Sequence, residues 1–331
     1  MNPISRRALL GTGAAAAIVH ALPARAQSPP KPLLLDDASR LNAVPVARHW
    51  RPSSVTGEEW LGVLRAELKA AAAEGRPVSV GAARHSMGGQ ALARDGVAMT
   101  LDVKPADRWL ELDRDAKTYR VSAGARWRQV IGALDPVGFS PAVMQSNHDF
   151  GVAATFSVNA HGWPVPYGPF GSTVRSLRLM LASGELVTCS PAENPELFGL
   201  AMGGYGLFGV IVDLEAAMVE NQLLKALPEL LPAAQLGLRL AAGIAQDPAV
   251  RMAYGRLAVD AKRFLREALL VTFRAVAGTR RPRPRGGSWC PCPARSFAPR
   301  SGRTRRSAHA GTRRRSRSRR PRRGSRRVTG C

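Results

Sequence analysis

The sequence breaks at Thr279. From there to Cys331 it holds 19 arginines and no Asp, Glu, Lys, Leu, Ile, Met, Asn, Gln or Tyr, so this stretch can neither bury a core nor offset the entropy of ordering itself. Any folded domain must come from the residues before it. Their charge is nearly balanced: of the formal +24, the arginine-rich stretch supplies 19 and leaves +5, which falls to +2 once Arg6, Arg7 and Arg25 are set aside. A near-neutral body has no electrostatic footprint of nucleic-acid binding. Residues 279–331 read as a disordered tail. Its abrupt start in mid-domain and its Arg, Pro, Gly, Ser, Ala, Thr and Cys are what a GC-rich gene yields when translated out of frame. The alternative is a genuine arginine-serine tail that binds nucleic acid.

At the other end, residues 1–26 have a charged start, an apolar stretch over 8–22 and Ala24-Arg25-Ala26 placed as a small-residue cleavage site, the pattern of a signal peptide. Arg6-Arg7 makes it a twin-arginine export signal, with an ordinary secretory leader as the alternative. The expectation is a periplasmic or secreted bacterial protein with a linker over 27–40. The apolar run is too short to span a bilayer, and no transmembrane segment is expected after it. Only Cys189 lies outside the tail, so no disulfide framework or zinc spacing emerges and no metal site is expected.

Between these ends, helix and strand signals alternate. TGEEWLGVLRAELKAAAAEGRP places Trp60, Leu61, Leu64 and Leu68 at helical spacing, with Thr56 as N-cap and Gly75 closing the helix. Strands follow over 77–80, 96–103 and 118–124, and a helix over 125–138. TVRSLRLMLASGELVTCS reads as a hairpin turning at Ser183-Gly184. A short helix in 191–204 and a strand over 207–220 complete this part. Beyond it, 251–260 and 267–277 read as strands flanking AKRFL.

Several chemistries lose their warrant. GYGLFG at 204–209 matches the G-x-G-x-x-G of dinucleotide binding, but a helix precedes it and a strand follows, the reverse of the Rossmann order. No phosphate-binding G-x-x-x-x-G-K-[ST] and no G-x-S-x-G nucleophile elbow occurs. Two small-residue stretches remain. In PVSVGAARHSMGGQAL, 77–92, a strand runs into Gly81, Ala82, Ala83, Arg84, His85 and Ser86, whose consecutive N–H groups form a concavity suited to a pyrophosphate. Arg84 would add charge, and His85, at the tightest turn, would face the ligand; the alternative is a turn whose histidine only caps or packs. In VMQSNHDFGVAATFSVNAHGW, 143–163, Gln145, Ser146, Asn147, Ser157, Asn159 and His161 lie among small residues. These polar groups need partners, supplied by a polar cofactor edge or by the loop itself.

In this order and spacing, VGAARHSMGGQAL, VSAGARWRQVI, QSNHDFGVAATFSVNAHG and GGYGLFGVI resemble the FAD-binding domain of the vanillyl-alcohol oxidase and p-cresol methylhydroxylase (PCMH) type. That family includes alditol oxidases, aldonolactone oxidases and cytokinin dehydrogenases. The resemblance covers 41–220. It implies an α+β fold with a two-subdomain PCMH-type FAD-binding domain, followed at 221–278 by the start of an α+β substrate (cap) domain. The implied cofactor is FAD, with Gly81, Ala82, Ala83, Arg84 and Ser86 around its pyrophosphate and His85 bonded covalently to the flavin. Gln145, Ser146, Gly151, Asn159, His161 and Gly162 are implied as further contacts, and Ile211 meets the adenine side through its backbone. Val152-Ala153-Ala154 departs from a family step that usually carries glycine, and each methyl obstructs close approach. The implied function is an FAD-dependent oxidoreductase that moves a hydride from an alcohol-type small molecule (alditol, aldonolactone or similar) to flavin N5, with reoxidation by oxygen or another acceptor. No catalytic base is assigned, because it would come from regions where this chain has the tail. The alternatives are an FAD-binding remnant without activity, or nucleic-acid binding through the tail.

Overall fold

The computed structural model describes residues 32–278. The expected signal peptide, the first part of the linker and the arginine-rich tail lie outside the described residues. Within them the chain is α+β. It opens with two short strands, β1 (Leu33–Leu35) and β2 (Val44–Val46), paired antiparallel. Next come β3 (Arg48–Trp50), α1 (Gly57–Ala73), β4 (Val78–Gly81) and β5 (Val97–Thr100). The three strands form a parallel sheet in the order β3-β5-β4. Helix α1 forms where the apolar spacing requires it and buries Trp60, Leu61, Leu64, Leu68 and Ala71.

A second, antiparallel sheet follows. Its elements are β6 (Leu110–Asp113), β7 (Thr118–Ser122), α2 (Trp127–Leu134), β8 (Phe139–Pro141), α3 (Val152–Ser157), β9 (Val174–Met180), β10 (Leu186–Cys189), α4 (Pro195–Ala201) and β11 (Val210–Glu220). The order is β10-β9-β11-β7-β6, with β8 on the far end of β11. The hairpin β9–β10 turns at Gly184, whose φ of +86° is open to glycine at no steric cost. Helix α2 is shorter than the 125–138 read from the sequence. It gives way to a 3-10 turn over Asp135–Val137, since Pro136 has no N–H to continue the helix's hydrogen-bond ladder.

One continuous core joins the two sheets. It takes Leu64 and Leu68 from α1, Val97 and Met99 from β5, Val121 from β7, Trp127 from α2, Phe156 from α3 and Leu214 from β11. Phe156 is fully buried, a contribution of about 1.5–3 kcal/mol from its transfer out of water. The Trp127 ring meets Phe170 edge-on at 5.0 Å, and its Nε1 donates to Thr155 Oγ1 at 2.9 Å, which satisfies the one polar group a buried indole brings. The buried Asp213 on β11 is paired with Arg120, at 2.7 Å, and Arg178, as a buried charge must be.

The last elements are β12 (Leu224–Pro232), α5 (Leu236–Gln246), β13 (Val250–Leu257) and β14 (Glu267–Ala275), with sheet order β12-β14-β13. AKRFL forms turns between β13 and β14. Strand β12 was not legible because Pro228 and Pro232 interrupt it; it is an edge strand, where proline costs no ladder bond on its outer side. No helix among the described residues is long and apolar enough to cross a membrane.

Candidate functional site

The loop after β4 is fixed from a direction the sequence did not suggest. Asp37, in the stretch expected as linker, is buried and accepts four hydrogen bonds. Two come from the Ser39 N–H and hydroxyl, one from Ser86 Oγ at 2.8 Å and one from the Gly89 N–H at 2.8 Å. Led by the Ser39 bond and opposed by burial, they pull its pKa down to about 2. The described part of 27–40 is therefore ordered against the domain by this carboxylate and by the strand β1.

Arg84 takes a positive φ of 49° and turns its guanidinium inward. It donates to the Ala91 carbonyl at 3.0 Å, the Met99 carbonyl at 2.6 Å and Thr100 Oγ1 at 3.2 Å. Burial, with the neighbouring Arg51 charge, lowers its pKa to about 10. Its charge is spent on the end of β5 instead of standing free beside the loop, which differs from the expectation that it would add charge at the pyrophosphate.

Two cavities share this loop. The larger, about 730 Å³, is walled by β4 and Gly81, Ala82 and Ser86, by Ala91–Ala93 beyond them, by Ala153, Ala154 and Ser157 of α3, and by Tyr205, Gly206, Leu207, Gly209 and Ile211 across from these. It lies in the size range of cofactor pockets, about 300–1,000 Å³. Among the described residues Arg76 is its one charged lining residue, and the buried Ser79 Oγ on its wall has no hydrogen-bond partner. Gly151 closes α3 onto the loop: a Cβ there would stand 2.8 Å from Ala82 Cβ, so only glycine permits this approach. The smaller cavity, about 280 Å³, lies on the loop's other side, with Ala82 and Ala83 on its wall beside His49, Arg51, Arg84, Lys104 and Arg126 and the carboxylates of Asp36 and Asp102.

His85 lines neither cavity. Its Nε2 stands 2.8 Å from Asp149 Oδ2 and its ring rests 4.7 Å from the Phe150 centroid. Asp149 Oδ1 also receives Arg126 Nη1 at 2.9 Å and Arg128 Nη1. Burial works to raise this carboxyl's pKa, but the His85 and arginine contacts prevail and leave it below the usual range. Asp149 was not singled out in the sequence, although VSAGARWRQVI and QSNHDFG carry the opposite charges that meet here.

The structure thus brings Gly81, Ala82, Ser86 and Ile211 together on the larger cavity, with Gly151 behind Ala82. Ile211 sits beside a register shift of β11 against β9. The remaining candidates stand off its wall. Gln145 buries an Oε1 that has no partner, and Ser146 and His161 are exposed. Asn159 accepts the Gly171 N–H at 3.0 Å. Gly162 is required by packing, since a Cβ would stand 2.5 Å from the Met144 carbonyl oxygen. The loop 204–209, which fails the Rossmann order, supplies the cavity's far rim.

Two sheets joined by one core carry a small-residue cleft where their loops meet. Residues 62–190 match the family of the FAD binding domain, and the chain carries that domain, with FAD as its cofactor. Cytokinin dehydrogenase 8 of Oryza sativa subsp. indica is 37% identical over 139 residues, 39% of this chain and 26% of that protein. L-galactono-1,4-lactone dehydrogenase of Brassica oleracea is 30% identical over 147 residues, 44% of this chain and 24% of that protein. Alditol oxidase of a Streptomyces species is 33% identical over 132 residues, 39% of this chain and 31% of that protein. The matched stretch spans about a quarter to a third of these relatives' lengths.

Proposed function

We propose that this chain binds FAD in the 730 Å³ cleft and serves an oxidoreductase that takes a hydride from an alcohol-type small molecule, an alditol, an aldonolactone or a similar compound. The observation that carries the reading is the cleft itself: small side chains from the β4 loop, α3 and the 204–209 loop face one another across it, and the β4 loop and α3 fall inside the stretch that matches an FAD binding domain. The residues suit the group. Gly81 and Ala82 leave room for a dinucleotide at the β4 loop, while the methyls of Ala153 and Ala154 narrow the α3 wall where the family usually carries glycine. When bound, the flavin supplies the hydride acceptor, with oxygen or another acceptor returning it to the oxidised state.

The chain's own residues then have defined tasks. Asp37 holds the loop through Ser86 and Gly89, Arg84 ties it to β5, and Gly151 lets α3 press against Ala82. His85, which lines neither cavity but adjoins the cleft-lining Ser86, is proposed as the covalent tether of a flavin that extends past the cleft's edge, which would suit export with the cofactor aboard under a twin-arginine leader to the periplasm or beyond. The test is to add FAD to the purified chain and follow retained flavin, then to add xylitol or galactono-lactone without oxygen. Flavin uptake near one per chain, bleached by substrate, is expected. A folded chain that retains no flavin would overturn the cofactor site, and uptake without bleaching by any polyol or lactone would overturn the substrate class.

A further inference from the structure

We propose that Asp149 is the positioning residue for attachment of FAD to His85, fixing the imidazole in the tautomer whose Nδ1 forms the bond. The proposal rests on the reading of His85 as tether. An ionised carboxylate accepts hydrogen bonds and cannot donate them. Asp149 Oδ2 lies 2.8 Å from His85 Nε2, and its Oδ1 is occupied by two arginines, Arg126 and Arg128. Two cations on one carboxylate keep it ionised, so the hydrogen of the shared bond belongs to His85 Nε2. In the neutral ring Nδ1 is then the bare nitrogen, and no hydrogen bond from a described residue engages it. Phe150 packs on the ring at 4.7 Å and 55°, and the Asp149 N–H is itself held by Asn147 Oδ1 at 2.9 Å. Orientation and tautomer are set before any ligand arrives.

The chemistry balances on that arrangement. The Nδ1 lone pair forms a C–N bond to the flavin 8α-methyl carbon, which gives up one proton; the electron pair of its broken C–H bond stays on the flavin ring. The imidazole passes through a cation whose Nε2–H points at Asp149, and the carboxylate stabilises that charge before the second proton leaves. The linked flavin is thereby reduced by two electrons and takes up both protons. Dioxygen is the oxidant that restores it, leaving as hydrogen peroxide.

The test uses the full chain incubated with FAD and then precipitated in acid, with polypeptide-bound flavin read by fluorescence and intact mass. Asp149→Asn turns a carboxamide N–H toward Nε2 and favours the opposite tautomer. Acid-stable flavin is expected to form at least about a hundredfold more slowly in it while non-covalent uptake persists. Asp149→Glu should recover most of the rate, and His85→Ala should never link. An Asp149→Asn chain that links at the native rate overturns the proposal. Independently of any variant, nitrogen NMR of histidine-labelled native chain is expected to show His85 protonated at Nε2; protonation at Nδ1 overturns it. Native chain that holds flavin but never links it overturns the tether and this inference together, leaving the FAD site standing. Native chain that holds none overturns the site.

Discussion

The β4 loop separates two cavities of opposite character, and Ala82 belongs to both walls. On one side are small side chains, one arginine at the rim and a volume near 730 Å³; on the other, around 280 Å³, are His49, Arg51, Arg84, Lys104 and Arg126, which outnumber Asp36 and Asp102. Charge alone would send a dinucleotide's phosphates to the second side. Space and the family match point to the first. The contrast teaches that this loop is recognised by how closely a backbone can be approached, with its arginines committed to structure: Arg84 to carbonyls of the protein, Arg126 and Arg128 to Asp149.

Filling the small-residue side should have the largest effect. Ala154→Leu puts three added carbons into the larger cavity from an exposed position on α3. Overpacking of about 1–3 kcal/mol corresponds to a loss of about 5- to 150-fold in FAD affinity, read by titration, with unfolding midpoints little changed. Arg84→Met should act on stability first. It leaves the Ala91 and Met99 carbonyls without this donor, and a cost of about 1–3 kcal/mol is expected in urea unfolding.

The third effect is on pH. The folded pKa of Asp37, about 2, lies below its ordinary 3.8, so its hold on Ser86 and Gly89 is complete above the ordinary value and is lost as pH falls through the folded one. Flavin release from a His85→Ala chain, which cannot link it, should therefore include a component between about pH 4 and pH 2, followed by fluorescence. Asp37→Asn should remove that component and weaken retention at every pH. Arg51→Ala should do least. It lines only the basic side, and FAD affinity should stay within about twofold, as for surface changes. A large loss there would move the dinucleotide to the other face of the loop.

What the sequence made legible follows from how local each signal is. Helix α1, the β9–β10 hairpin and β11 carry their periodicity within a few turns or a short run, and the fourfold order of small-residue loops specified the domain. The contacts that hold the site are not local. Asp37 meets Ser86 across 49 residues, and Asp149 meets His85 across 64, so neither carboxylate announces its partner in its own neighbourhood. The direction of Arg84 depends on a positive φ and on carbonyls of β5, which no composition reveals. Helix α5 buries none of its side chains and was not read from the sequence.

The location of the cofactor is tested most directly by amide hydrogen exchange on the full chain with and without FAD. Added protection is expected at 79–86, 153–158 and 205–211, around the larger cavity, with 49–52 and 102–104 unchanged. Protection confined to 49–52 and 102–104, or none anywhere on a chain that retains flavin, would contradict the account.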